Sequence, residues 1–392
     1  MNIKNLIYLL SILILISCNK DDEGTDSDNQ INVVIESYEP QKLFYGDTLT
    51  IIGANLFQNL ENTVSINGNE QEIISNTENE ILVKIVDGST SGEIRIANSN
   101  GTATVGEVKV ASETFYRRIR QAGVSLVKIN TKTGRIVDEI FDINCPNGGA
   151  YVFGGIAYNK ENQEFSNFTS WDKYQQYYFY DYSTYSYDGS TCNSVSTDDI
   201  ISNIIYDNEG NLYAVYNDSL VNLNTQTGEI TANLLNLENP ESIRFDSFNN
   251  QLIIVSSSSD TYYLNYFDIA TGTNEQLSIP QRIHTYTVTS DGKIYTTTPT
   301  LPYNCLGIVE VNRNTGQFSD AIFTVPGELC PNNQNISLSH MQYLPSVNYL
   351  MLRGSSYSGT NHILVDLDSK EMIYNELPSG IDYYQFVKIE NQ

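Results

Sequence analysis

Apolar and polar residues alternate with a period of two along most of the chain, and the runs are short. Between residues 31 and 111 the pattern opens with Ile31-Asn32-Val33-Val34-Ile35 and turns at Tyr38-Glu39-Pro40. In the next run Leu49 and Ile51 fall on one side, with Thr48, Thr50 and Ile52 on the other. Such alternation marks strands with one buried face. Further runs at 63–67, 71–75, 80–86, 92–97 and 102–110 are separated by Asn-Gly, Asp-Gly and Ser-Asn-Gly turns. The spacing predicts a small antiparallel sandwich over 31–111.

From residue 112 onward the same alternation becomes a repeat. Leu126-Val127-Lys128-Ile129-Asn130-Thr131-Lys132-Thr133-Gly134 returns as Leu220-Val221-Asn222-Leu223-Asn224-Thr225-Gln226-Thr227-Gly228. Tyr266-Phe267-Asp268-Ile269-Ala270-Thr271-Gly272 and Val309-Glu310-Val311-Asn312-Arg313-Asn314-Thr315-Gly316 are further copies, and Leu364-Val365-Asp366-Leu367-Asp368-Ser369-Lys370 is a worn one. Asn or Asp starts a tight turn and Gly accepts positive φ, so each copy is a strand ending in a corner. The corners recur every 44 to 54 residues, apart from one double gap of 94. The Tyr177-Tyr178-Phe179-Tyr180-Asp181 strand is expected to fill that gap, with Asp181 at the corner. A second motif precedes the corners: Ile204-Ile205-Tyr206-Asp207, Ile243-Arg244-Phe245-Asp246 and Thr287-Val288-Thr289, each leading into a turn and another strand. Six four-stranded units of this length predict a six-bladed β-propeller over 112–392. The first unit has no inner strand of its own, and Tyr383-Tyr384-Gln385-Phe386-Val387-Lys388-Ile389-Glu390 is the strand expected to supply it and close the ring. The fold class read from pattern alone is all-β.

The N-terminus departs from this alternation. Lys4 precedes an apolar stretch from Leu6 to Ile16, broken only by Ser11. As a helix it would reach about 17 Å, against a hydrocarbon core of ~30 Å, so it reads as a signal sequence. Leu15-Ile16-Ser17-Cys18 resembles the bacterial lipobox, in which the cysteine receives a lipid before cleavage on its N-side. Residues 1–17 are therefore expected to be removed, and Cys18 to anchor the mature protein to a membrane. Asn19-Lys20-Asp21-Asp22-Glu23 then resembles the export signal of surface lipoproteins in the Bacteroidota, within a polar tether covering 18–30. The expectation is an outer-membrane, surface-exposed lipoprotein, with the periplasmic face as the alternative.

Two resemblances extend the reading. Pro40, Gly46-Asp47-Thr48-Leu49-Thr50-Ile51, Gly53-Ala54-Asn55-Leu56, the Ser65–Gly68 stretch and Gly92-Glu93-Ile94-Arg95-Ile96 resemble the IPT/TIG family of immunoglobulin-like domains. That likeness implies a spacer between anchor and working domain. The repeat of the second region is similar to six-bladed propellers of the NHL and related types, a broad group with no single activity. Anchor, immunoglobulin-like spacer and terminal domain together resemble surface glycan-binding proteins of the Bacteroidota.

Charge narrows the partners. The 392 residues carry 21 Lys+Arg against 47 Asp+Glu, a formal net charge of −26. Such a surface repels phosphate backbones and anionic headgroups, which argues against nucleic acid and leaves the lipid as the expected membrane contact. No Gly-x-Ser-x-Gly, His-Glu-x-x-His, Walker-type or calcium-loop motif is present. No metal or cofactor is therefore expected.

Beyond Cys18 there are Cys145, Cys192, Cys305 and Cys330, an even number in an exported chain and compatible with three disulfide pairings. The favoured pairs are 145–192 and 305–330, with free thiols as the alternative. His284, His340 and His362 fall in different units. Of the 28 tyrosines, many crowd around Trp171, Tyr174 and the strand that follows. Aromatic faces stack on sugar rings, so Trp171 and Tyr174 are candidate ligand contacts, with Tyr151, Tyr303 and Tyr357 as weaker ones. Phe153 is another loop aromatic. The expected function is binding of an extracellular ligand, a glycan or an envelope protein, by the propeller. A propeller hydrolase or lyase with a site at the channel mouth is the competing reading, as is an envelope interaction scaffold.

Overall fold

The computed structural model describes residues 33–390 except 57–61, 99–100, 121–123, 143–154, 173–177, 187–191, 198–200, 202, 284, 301–304, 325–336, 357–358 and 378–382. In several strands, including Tyr383–Glu390, the description is of the backbone alone. Strands and their connections account for every described residue, with no helix among them.

The N-terminal region is a two-sheet sandwich. One sheet runs Val34–Glu39, Thr48–Ala54, Glu80–Lys84, Glu72–Asn76; the other runs Lys42–Leu43, Gly101–Val110, Gly92–Asn98, Thr63–Ile66, Asn69–Glu70. The inward set expected from alternation is the core: Leu49, Ile51, Val64, Ile66, Ile81, Val83, Ile94 and Ile96 are fully buried between the sheets. Ile52, on the opposite side of its strand, is exposed.

Six four-stranded sheets follow, and they form the blades of a propeller. Their inner strands, from blade 1 to blade 6, are Tyr383–Glu390, Ile156–Asn159, Asn203–Tyr206, Pro240–Asp246, Tyr286–Val288 and Ser337–Leu344. Each inner strand packs on the next, and the sixth returns to the first, so the ring is closed. Closure is made by the C-terminal strand, which pairs antiparallel with Glu113–Arg120 through Glu113–Glu390 and Phe115–Lys388. The first and last segments of the propeller thus share one sheet, as the missing inner strand of the first repeat implied.

The corner of blade 2 lies elsewhere than expected. Asp181 sits inside the third strand, Tyr178–Ser186, opposite Thr169 and Ser196 rather than at a turn. The strand runs on to Ser186 before the outer strand Cys192–Thr197 begins. The Tyr-rich segment resembles a repeat corner in composition, but it lacks the Thr-Gly that makes the turn, and pairing with both neighbours extends it.

The other corners share one geometry. Gly134, Gly228, Gly272 and Gly316 have φ near +70°, and each donates its N–H to the carbonyl of the Asn or Asp four residues earlier. That Asn or Asp also accepts from the backbone within the turn, as Asn130 Oδ1 does from Thr133 N at 2.9 Å. Lys370 takes the glycine position in blade 6 at φ 63°. Because successive strands are antiparallel, these corners and the inner-to-second-strand turns lie on one face of the ring. The second-to-third connections and the links between blades lie on the other.

Candidate functional site

The sandwich docks on the corner face, across the seam between blades 6 and 1. Phe44 is the wedge: it is buried with Val127, Ile129, Leu344, Val347, Met351 and Leu364, and meets Tyr349 edge-on at 5.5 Å between centroids. Ion pairs ring this contact. Lys42 Nζ reaches Asp366 at 2.7 Å and Asp368 at 2.8 Å, Lys132 reaches Asp47 at 2.6 Å, and Lys128 pairs with Asp87. Burial alone would raise the Asp366 carboxyl, but hydrogen bonds from Lys42 and from the Asp368 backbone outweigh it and lower the pKa. The same sequence element, the Asn/Asp corner, therefore serves as the docking platform in blades 6 and 1.

The sandwich leaves the opposite face of the ring uncovered. Several strand ends that flank the aromatic candidates in sequence lie on that side. Trp171 lies at the end of Glu164–Asp172, whose last pair, Asp172 with Tyr178, is on this face. Thr300 and Cys305 flank Tyr303, while Ser356 and Gly359 flank Tyr357. Tyr151, Tyr174, Tyr303 and Tyr357 themselves lie outside the described residues, as does the Trp171 side chain. Cys18, Cys145 and Cys330 also lie outside them, along with the side chains of Cys192 and Cys305. By backbone, Cys192 begins an outer strand at the corner face, and Cys305 begins a third strand at the opposite face.

The histidines are not gathered into one centre, but His340 and His362, expected in different units, share blade 6, on its inner and third strands. His284 lies outside the described residues. His362 is fully buried in blade 6, where its Nε2 lies 2.7 Å from the Thr131 carbonyl of blade 1 and helps hold the closing seam. His340 is on the inner strand of blade 6 and pairs across to Arg353. Burial, with the charges of Arg244 and Arg353, lowers the His340 pKa to about 4, so the imidazole is neutral at pH 7.

The inner strands superpose in register on the turn that follows them. Asn159, Asp207, Asp246, Thr289 and Leu344 are equivalent, each closing or just following its inner strand. Two positions earlier stand Ala157, Ile205, Arg244, Thr287 and Gln342; four earlier stand Gly155, Asn203, Ser242, Thr285 and His340. Each of these two tiers holds one ionisable side chain among the described residues: Arg244 in the first, His340 in the second. Sequence reading passed over Arg244 because it sits inside a repeat motif. The available signal was a lone charge at a position that is Ile205 and Thr287 in the other copies.

Charge is also used for packing between blades. Asp246, with no exposed surface, meets Arg313 of the next blade at 2.6 Å and accepts the backbone N–H of Phe248 at 3.0 Å. The Arg313 guanidinium also lies 4.8 Å from the Tyr266 ring centroid. No group of three or more His, Cys, Asp or Glu among the described residues is placed to hold a metal ion.

Residues 33–114 match the IPT/TIG domain, close to the segment delimited by alternation. No curated protein matches the chain. TolB from Acinetobacter baumannii superposes with a TM-score of 0.54 at 10% identity, covering 76% of this chain and 78% of its own, and shares the propeller fold. An auxiliary nutrient binding protein from Bacteroides thetaiotaomicron covers 87% of this chain and 85% of its own at 11% identity, with a TM-score of 0.39. A DUF4784 family protein from Bacteroides caccae covers 91% and 100% at 10% identity, with a TM-score of 0.42.

Proposed function

We propose that the chain is a lipid-anchored binding protein of the bacterial outer-membrane surface, whose propeller engages an extracellular glycan without chemically altering it. The observation that carries this reading is the docking of the IPT/TIG sandwich on the corner face at blades 6 and 1. The sandwich follows directly on the Cys18 tether, so it stands between anchor and ring. The opposite face, to which the strand ends near Trp171, Tyr303 and Tyr357 belong, then points away from the membrane.

Two measurements test the two halves of the proposal. In cells, Cys18→Ala is expected to abolish incorporation of labelled palmitate, and added protease is expected to remove the wild-type protein from intact cells. A protein protected until lysis would defeat surface display. On a glycan array, the mature protein is expected to bind a saccharide, and Trp171→Ala to lose that binding while keeping the thermal transition. Silence across the array would defeat the glycan reading.

A further inference from the structure

In a chain with 47 acidic against 21 basic residues, positive charge near the axis of the ring stands out. Arg244 lies on the inner strand of blade 4 and is partly accessible. Its guanidinium is held in place: Nη1 donates to the Ile243 carbonyl at 2.8 Å, Nε donates to the Tyr286 carbonyl at 3.3 Å, and the group lies 5.2 Å from the Tyr286 ring centroid. These bonds use two of the five guanidinium N–H groups, and no carboxylate of the described residues is within ion-pair distance of it. The arrangement differs from that of Arg313, whose charge is matched by Asp246.

A second positive group belongs to the same neighbourhood. Arg353 is buried at 1% exposure, next to His340 in register, and burial lowers its pKa only to about 9, which leaves it charged at pH 7. His340 lies within the field of both arginines. Its neutral imidazole adds no charge of its own. None of the equivalent positions of the other described inner strands is charged: Ala157, Ile205, Thr287 and Gln342 in one tier, Gly155, Asn203, Ser242 and Thr285 in the other. A guanidinium fixed by two carbonyls, backed by a second buried guanidinium, is suited to a planar anion with two oxygens. A low-dielectric channel strengthens that attraction.

We propose that the inner end of the propeller channel carries an anion subsite, centred on Arg244 with Arg353 and His340 beside it, that takes the carboxylate of an acidic sugar. The assignment rests on the glycan reading above and narrows it to uronic-acid-type saccharides. The anionic exterior turns away a polyanion bound elsewhere on the surface.

The test is isothermal titration of the full mature chain with a galacturonic acid tetramer and with its fully methyl-esterified form. The acid is expected to bind more tightly than the ester by about tenfold or more, a preference that weakens with added salt. Arg244→Gln is expected to erase the preference, and Arg244→Lys to retain part of it, with thermal transitions unchanged. Equal binding of acid and ester, or an undiminished preference in Arg244→Gln, would overturn the subsite and leave the glycan reading standing. Binding of neutral oligosaccharides alone would do the same. Binding of no saccharide of either charge would remove both. Should Arg244→Gln fail to fold, the acid-to-ester ratio of the wild-type protein and its salt dependence decide the matter unaided.

Discussion

The two faces of the ring are built by the same strands and obey different rules. On the corner face, an Asn or Asp side chain caps its own turn, a residue at positive φ completes it, and the geometry repeats from blade 1 through blades 3 to 6. On the opposite face the connections differ in length and composition from blade to blade. Repetition marks the places where structure is being made. Irregularity marks the places where the chain is free to answer a ligand. The sandwich docks on the regular face and leaves the irregular one uncovered.

The comparison can be broken most severely at the closure. Removing residues 381–392 takes the inner strand from blade 1 and exposes the edge of Glu113–Arg120. Calorimetry is expected to show loss of the cooperative propeller transition; a truncated chain that melts like the full one would mean the ring holds without it. Next in size is the buried pair between blades 4 and 5. Arg313→Met leaves Asp246 charged and sealed from water, for an expected loss of about 3–5 kcal/mol in urea unfolding. Adding Asp246→Asn should recover much of that loss, and failure to recover would place the cost in packing instead.

A smaller effect separates corners that are identical in sequence logic. Gly228 and Gly272 have φ of 70° and 69°, but a Cβ on Gly228 would lie 2.4 Å from Tyr182 Cγ, whereas one on Gly272 meets nothing within 4 Å. Gly272→Ala should cost about 1 kcal/mol, from backbone conformation alone, and Gly228→Ala about 2–4 kcal/mol because the fully buried Tyr182 cannot move aside. Equal losses would show that the blade interface yields more readily than its burial implies.

The smallest effect concerns pH. Folding lowers the pKa of Asp366 and, through its hydrogen bond with Lys42, that of Asp368. Lowered carboxyl values add stability above the unfolded value of about 4 and lose it as pH falls through the folded values. Asp368 is exposed and adds little, and the Lys42–Asp366 pair at the rim of the docking contact brings the total to about 1 kcal/mol. Small-angle scattering is expected to show the sandwich loosening from the ring in acid, and Lys42→Met should flatten that pH response.

Much of this architecture was legible because its causes are local. Alternation at Leu49 and Ile51 is the sandwich core, and the Asn-Thr-x-Thr-Gly signature is a turn wherever it occurs. Blade 2 was harder to read. Asp181 matched the composition of a corner, yet strand pairing on both sides carries the chain past it to Ser186. The Phe44 wedge and the seat of Arg244 were not legible. The wedge depends on residues of blade 6 far along the chain, and Arg244 on Tyr286 of the next blade, 42 positions on, and a single apolar or basic residue carries no mark of the partner it will meet. Pattern reports periods; it does not report encounters between distant segments.

The sharing of one sheet by Glu113–Arg120 and Tyr383–Glu390 also sets an order of events. A chain emerges N-terminus first, so the sandwich, complete by Val110, can fold while the propeller is still being made. Blades 2 to 6 can form in turn, but blade 1 must wait with an unpaired edge until the last strand arrives. Its strands are the earliest of the ring to emerge and the last to be satisfied. The final strand is thus the latch that commits the ring to its folded form.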